Sequence, residues 1–249
     1  MKSILSHALL LRTVAYGESD LIVTLLTETD GKLGARIRGG RKSSKRAAGG
    51  IEPFHTLEVS LDDRGGELLT LKECRFVAIR AGLAASLEAM DAAGTVLRWA
   101  RHLLPVRHAE PHAWATLVRL LDWLDGAGSP PSGLLALSGL HLLASAGYAL
   151  ELERCVVCGK ACPEGAPAFI DATRGGLVCR NCGGAGRVLE ARLRALAARA
   201  QRPDDGESGR VEETAWLAPP SWLTEAQTND LLAVLADAMA AHTGLDPSK

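Results

Sequence analysis

The sequence predicts an α+β, multi-domain protein: a small five-stranded antiparallel barrel, then an all-α domain with a four-cysteine insertion. Three observations predict it. Residues 1–80 alternate apolar and polar side chains with the period of strands. Beyond residue 80 the period becomes helical. Five of the six cysteines fall between 155 and 182, four of them as two C-x2-C pairs. At 249 residues the chain can hold one large domain or two small ones, each with a hydrophobic core. The expected division is 1–80 and 81–249, with the metal module at 155–182 inside the second part.

Ser6–Val14 supplies the first strand and Asp20–Thr27 (DLIVTLLT), a β-branched apolar run, the second. Thr29-Asp30-Gly31-Lys32 reads as a turn, because Asp-Gly supplies the positive φ of a tight hairpin. Leu33, Ala35 and Ile37 then alternate with Gly34, Arg36 and Arg38, which puts the apolar set on one face and both arginines on the other. Residues 54–61 alternate again, with Leu57, Val59 and Leu61 against Glu58 and Ser60. Asp62–Gly66 is a turn, and Glu67–Ala78 a fifth strand. Five short antiparallel strands in about 80 residues suit a small barrel.

Leu83, Leu87, Met90, Val96, Leu97, Leu103 and Leu104 fit one or two helices. Ala113–Leu124 carries Leu117, Leu120, Leu121 and Leu124 on one stripe, and Ala127–Gly133 (AGSPPSG) breaks the pattern. Leu134–Leu150 is apolar nearly all round, as a buried central helix should be, and His141 on it reads as a core histidine. Pro203–Thr214 is acidic and turn-rich, the composition of a solvated loop. A last amphipathic helix carries Leu231, Val234, Leu235, Ala238, Met239 and His242, with Thr224 and Gln227 as a capping box.

Charge is unevenly distributed. The formal net charge is -1, but residues 1–80 hold 13 Lys+Arg against 10 Asp+Glu, and the remainder 15 against 19. The basic first part suits a polyanionic partner. An apolar content of 47% excludes a wholly disordered chain, and no run of about 18 apolar residues suggests a membrane span. The N-terminus lacks a secretory pattern, so a cytoplasmic location is expected.

Cys155-x2-Cys158 and Cys179-x2-Cys182, with 20 residues between the pairs, have the spacing of a four-thiolate metal site. Two such turns complete a tetrahedron and leave no open position, so the expected occupant is a structural Zn²⁺. Disulfides, free thiols and an iron–sulfur cluster are the alternatives. Cys162 is either a substitute ligand for Cys158 or a spare thiol, and Cys74 reads as a small buried hydrophobe.

Lys32–Arg46 (KLGARIRGGRKSSKR) carries seven basic residues in fifteen and no acid. Arg36 and Arg38 on the strand, with Arg41, Lys42, Lys45 and Arg46 on a glycine-bounded loop, suit a surface that contacts nucleic-acid phosphates; a solvated charged loop is the plainer alternative. Only Tyr16, Phe54 and Phe76 could stack bases in the first 80 residues, so backbone charge should dominate. Gly34-x4-Gly39 is followed by Gly40 and Arg41 instead of Lys and Ser/Thr, which excludes a P-loop. No hydrolase or zinc-protease motif is present, and Glu18 and Asp20 read as hydrogen-bonding partners of the arginines.

These segments resemble the RecO family of bacterial recombination mediators. Similarity runs through ALLLRTVAYGESDLIVTLLTETDGKLGARIRGGRK, through LSGLHLLASAGYALELERCVVCG (Leu137–Gly159), and through Gly175–Cys179 before the second cysteine pair. The resemblance implies an N-terminal OB-fold, a helical domain with a zinc-binding insertion, and neither catalysis nor ATP. It implies binding of single- and double-stranded DNA, annealing of complementary strands, and partnership with RecR and single-stranded-DNA-binding protein. It further implies help in loading RecA, and a nucleoid-associated protein. The family's DNA-contacting strand and loop fall on Arg36, Arg38, Arg41 and Lys42. An acidic tail of single-stranded-DNA-binding protein would need a basic rim, for which Arg187, Arg192, Arg194 and Arg199 on one helix are candidates, ordinary solvation being the plainer reading. A zinc-ribbon enzyme acting on nucleic acid and a structural adaptor remain the competing function classes.

Overall fold

The computed structural model describes residues 2–41, 53–127, 130–131, 133–202 and 219–244. The chain forms two compact units, Met1–Ser129 and Pro130–Lys249. In the first unit β1 (Lys2–Tyr16) pairs antiparallel with β2 (Asp20–Thr27) and β4 (Thr56–Asp63), β2 pairs with β3 (Gly31–Ile37), and β4 with β5 (Leu69–Ala78). A short parallel contact of β3 with β5, at Ala35–Leu69 and Arg36–Thr70, closes the ring into an OB-like barrel. Leu33, Ala35 and Ile37 point into its core with Leu57, Val59 and Leu61, as the alternation predicts. Gly31 sits at φ +70, and a Cβ there would lie 1.8 Å from the His108 carbonyl oxygen, so only glycine fits this hairpin.

Two helices complete the unit, α1 (Leu87–Leu103) and α2 (Pro111–Ala127). The change from strand to helix falls near residue 80, but the compact units divide after α2, because both helices are fastened to the barrel. Arg80 is buried and reaches the Phe54 carbonyl at 2.6 Å and Asp122 of α2 at 2.7 Å. Arg107, between α1 and α2, binds Asp63 at 2.7 Å, and its amide donates to the Lys32 carbonyl at 3.0 Å. The buried stripe of α2 holds Leu117, Leu120, Leu121 and Leu124 as expected. That of α1 differs from expectation: Leu87 and Met90 are exposed, and Ala89, Ala92, Ala93, Val96, Leu97, Ala100 and Leu103 face inward. Alanines bring that helix close to its neighbours, which sets its rotation more firmly than one leucine at its first turn.

In the second unit α3 (Leu134–Ser145) is buried on nearly every side. It stops short of Leu150. Gly147 takes φ +87, and the amides of Gly147 and Tyr148 close on the carbonyls of Ala144 and Leu143, a Schellman ending. His141 is buried with Nδ1 2.8 Å from the Ala200 carbonyl oxygen, which makes that nitrogen the protonated one. The expected insertion is built on four short strands, β6 (Glu151–Cys155), β7 (Ala168–Asp171), β8 (Gly176–Leu177) and β9 (Arg187–Leu189), in the order β6-β8-β7-β9. Helices α4 (Ala191–Ala200) and α5 (Glu225–Thr243) follow, the latter with both halves of the Thr224–Gln227 capping box formed. His242, expected on the apolar stripe, is exposed and stacks on Tyr148 at 5.6 Å. The expected loop at 203–214 lies outside the described residues.

Candidate metal centre and candidate nucleic-acid interface

The sulfurs of Cys155, Cys158, Cys179 and Cys182 lie within 4.8 Å of one another. Cys155 ends β6, and the first turn is closed by the Gly159 amide on the Cys155 carbonyl at 2.9 Å. In the second turn the amides of Cys182 and Gly184 both reach the Cys179 carbonyl. Gly159 and Gly183 have positive φ, the conformation each turn needs to direct two sulfurs toward one point. All six cysteines are free thiols, and Sγ of Cys158 stands 3.8 Å from Sγ of Cys179. That is far beyond a disulfide bond of about 2.05 Å. It equals the edge of about 3.8 Å of a tetrahedron whose corners sit about 2.3 Å from a central ion, the length of a zinc–thiolate bond.

The acid–base chemistry points the same way. Amides of Cys179 and Cys158 are directed at the Cys155 sulfur and bring its pKa down to about 6. Hydrogen bonds of the Cys182 thiol with Cys179 and Cys158 push it up to about 12. One thiolate is accommodated by amides, whereas further ionisation needs a cation among the sulfurs. Four clustered thiols with this donor set can hold a metal ion. Cys162 is not among the four; its amide donates to the Glu153 carbonyl at 2.7 Å. Cys74 is half-buried against the barrel core, and burial pushes its thiol up to about 11.

On the barrel, Arg36 leaves β3 on the outward face, as the alternation predicts, whereas Arg38, expected on the strand too, lies in the turn just after it. Arg36 is pinned. Its Nε donates to Asp20 Oδ2 at 2.6 Å, and its guanidinium lies 5.4 Å from the Tyr16 ring centroid. Asp20 also accepts the Gly39 amide at 2.8 Å, and that bond, then Arg36, holds its carboxyl below the ordinary value. Asp20 is therefore the hydrogen-bonding partner expected, and it fixes the start of the basic loop. Arg38 is exposed; Arg41 is exposed too, its amide on the Ser19 carbonyl at 2.9 Å. Lys42, Lys45 and Arg46 lie outside the described residues. Arg64 and Lys72, which the sequence reading left out, line a hollow with Arg38 where β3 and β5 meet. Only the parallel closure of the barrel brings them beside β3.

Of the four arginines expected on one rim, only Arg192 and Arg199, seven residues apart on α4 and both exposed, share a face. Arg187 lies on β9 and pairs with Asp230 and Asp237 at 3.6 and 3.8 Å. Arg192 lies over the Trp222 ring at 4.3 Å. Arg194 is buried and donates to the carbonyls of Leu152 and Pro163, both at 2.7 Å. Helical phase sends Arg192 and Arg194 to different sides of α4, and Arg187 precedes the helix.

Among the described residues no helix is long and apolar enough to cross a membrane. Residues 1–80 match the family model of the recombination protein O N-terminal region, and residues 84–218 that of its C-terminal region. The DNA repair protein RecO of Anaeromyxobacter sp. (strain K) is 38% identical over 242 residues, 95% of this chain and 93% of that protein. RecO of Myxococcus xanthus is 37% identical over 203 residues, 79% and 82% of the two chains, and RecO of Geobacter sulfurreducens 36% over 191 residues, 77% of each. The chain belongs to the recombination protein O family of DNA repair proteins.

Proposed function

We propose that this chain is a DNA-binding mediator of recombinational repair that anneals complementary strands without consuming a nucleotide. Residues 1–80 are the DNA-binding domain and 81–249 the helical domain in this reading. The observation that carries it is the outward basic face of β3, where Arg36 is held in place while Arg38 and Arg41 stay exposed. Two complementary strands repel as dense lines of phosphate. A surface that neutralises both lowers the barrier to their pairing. Arg36, Arg38 and Arg41, with Lys42, Lys45 and Arg46 next in sequence, supply six cations. Arg36 lies over one face of the half-exposed Tyr16 ring, so few ring faces are free for bases and sequence should matter little. Family membership supports the partners: RecR, single-stranded-DNA-binding protein and, through them, RecA loading. Cys155, Cys158, Cys179 and Cys182 hold zinc, which supplies a closed structural cross-link and no chemistry. Asp20, the carboxylate on the basic face, is engaged by Arg36 and the Gly39 amide, which argues against a catalytic role.

Six contacts give a slope of log affinity against log salt of about -4 on single strands, at about -0.7 each. An Arg38→Glu/Arg41→Glu protein should bind and anneal more slowly and flatten that slope by about 1.4. Wild-type annealing with an unchanged slope would place the DNA surface elsewhere.

A further inference from the structure

A second group of cations gathers in the first unit, away from the residues assigned above. Arg12 stands on β1, Lys32 near the start of β3, and Arg98, Arg101 and His102 in the last turns of α1. No carboxylate answers them: among the described residues none of the five takes part in an ion pair with an acid. They face one another instead. Lys32 Nζ donates to the Arg101 carbonyl at 2.5 Å, and Arg101 Nη2 lies 2.9 Å from His102 Nε2. Arg98 Nε is buried with no hydrogen-bond partner. Burial, followed by the charges of Arg12 and Arg98, holds Arg101 below its ordinary pKa, and Lys32 is lowered by burial and then by Arg101. The C-terminal end of α1 contributes only about half a negative charge. That cannot balance four permanent cations.

The cluster is continuous with the basic face of β3. Cross-strand partners share a face of a sheet. Arg12 pairs with Thr24 and Thr24 with Gly34; the next row is Val14, Ile22 and Arg36. Lys32 lies one step before Gly34 on that face. At about 3.3 Å per residue, Lys32 and Arg36 are about 13 Å apart along β3, and Arg38 lies in the turn just beyond the strand. Val14, Tyr16 and Leu68 are exposed between the two basic ends, Leu68 lying against Gly34.

We propose that Arg12, Lys32, Arg98 and Arg101 form a second phosphate-binding site, and that a nucleic-acid single strand lies along the outer face of β1–β3 from Arg38 to the end of α1. The inference rests on the reading of the β3 face as a DNA surface and extends it to residues from β1 and α1. A regularly spaced polyanion fits a line of cations broken by apolar side chains better than an isolated anion does.

The test titrates a fluorescent oligothymidylate of about 16 nucleotides, the upper site size for such a barrel, from about 50 to about 200 mM salt. Four full-length proteins are compared: wild type, Arg12→Gln/Arg98→Gln/Arg101→Gln, Arg12→Glu, and Arg38→Glu/Arg41→Glu. The triple variant should flatten the salt slope by about 2, and Arg12→Glu by at least about 0.7. An oligomer of about 5 nucleotides, too short to span both ends, should respond much less to the triple variant. Arg12 is exposed and its side chain has no hydrogen-bond or ion-pair partner among the described residues, so Arg12→Glu decides the matter if the triple variant does not fold. Wild-type slopes in the triple variant and in Arg12→Glu, with loss in Arg38→Glu/Arg41→Glu, overturn the second site and leave the proposed function standing. No loss in any variant overturns both. Unchanged oligothymidylate binding with lost binding of a polyglutamate peptide assigns the cluster to an acidic protein and overturns the proposal.

Discussion

Replacing Arg194 with methionine should loosen the cysteine-bearing sheet from the helix that supports it. Arg194 projects from α4, is 7% exposed, and donates from Nη1 to the Leu152 carbonyl on β6 and from Nη2 to the Pro163 carbonyl between the cysteine pairs. Hydrogen bonds from a charged donor contribute about 1.5–3 kcal/mol each. Methionine keeps an apolar stem but no donor. The Leu152 carbonyl then stays buried without its partner, whereas that of Pro163, on an exposed residue, recovers water. The expected loss is about 2–4 kcal/mol. For a unit of 120 residues (130–249), that lowers the thermal midpoint by on the order of 10 °C. Arg194→Lys should recover only part of the loss, since a single ammonium does not reproduce a guanidinium fork between two carbonyls. Calorimetry of the full chain gives the midpoint, and metal release to a chelator should quicken in parallel. A midpoint within about 2 °C of wild type, with unchanged release, would refute the account of Arg194 as the clamp between α4 and the module.

Cys155→Ser or Cys179→Ser should abolish the one metal ion per chain expected from elemental analysis and lower the yield of folded protein, since structural zinc contributes on the order of 10–16 kcal/mol in finger peptides. Zinc-free wild type with disulfide-bonded cysteines would exclude the assignment. Gly31→Ala should cost more than about 2 kcal/mol in denaturant unfolding, combining a left-handed backbone with a clash on the His108 carbonyl. Gly34→Ala, which meets only the end of the Leu68 side chain, should cost clearly less. Because the Asp20 carboxyl is held below its ordinary value, first by the Gly39 amide and then by Arg36, its contribution is present above pH about 4 and disappears as pH falls through the lowered pKa. Thermal midpoints of wild type and Asp20→Asn should therefore differ at pH 7 and converge as the pH falls through that lowered pKa.

The barrel was legible because its signals are local. Period-two alternation marks Leu33–Ile37 and Leu57–Leu61, and Asp30-Gly31 fixes the hairpin between β2 and β3, so face and register follow from adjacent residues. The helices were less so. The face of α1 depends on how closely alanines let it approach its neighbours, and the end of α3 on a glycine whose φ only the following turn decides. The sheet around the cysteines was not legible at all. Strands of two to five residues are shorter than any periodicity, and they hold because turns and the Arg194 guanidinium place them.

The same distinction separates the two sites. Four cysteines in two short turns announce their geometry, because a C-x2-C turn brings its own pair together and the long span has only to fold back. Basic residues carry no such signal, and counting them misleads in both directions. Nothing in the sequence marks Arg80 or Arg107, and Arg194 counts there as a rim candidate, yet each spends its guanidinium on holding elements together. Arg12, Lys32, Arg98 and Arg101 are scattered over β1, β3 and α1, none within the run that draws the eye except Lys32, yet they form the group of cations without acids. What distinguishes a binding cation from a structural one is a charge that no carboxylate neutralises and donors left over beyond any protein carbonyl, as on Lys32, and that is a property of the fold. Arg36 shows the intermediate case: bound to Asp20, it cannot swing freely, and a cation held still on a strand presents its remaining donors in one direction. Exposed Arg38 keeps the freedom to follow a phosphate chain, and exposed Arg41, across the Gly39-Gly40 turn, is held only by a 3.4 Å bond from Nη1 to the Gly17 carbonyl. A fixed cation beside mobile ones suits a ligand whose charges are evenly spaced but whose path is not.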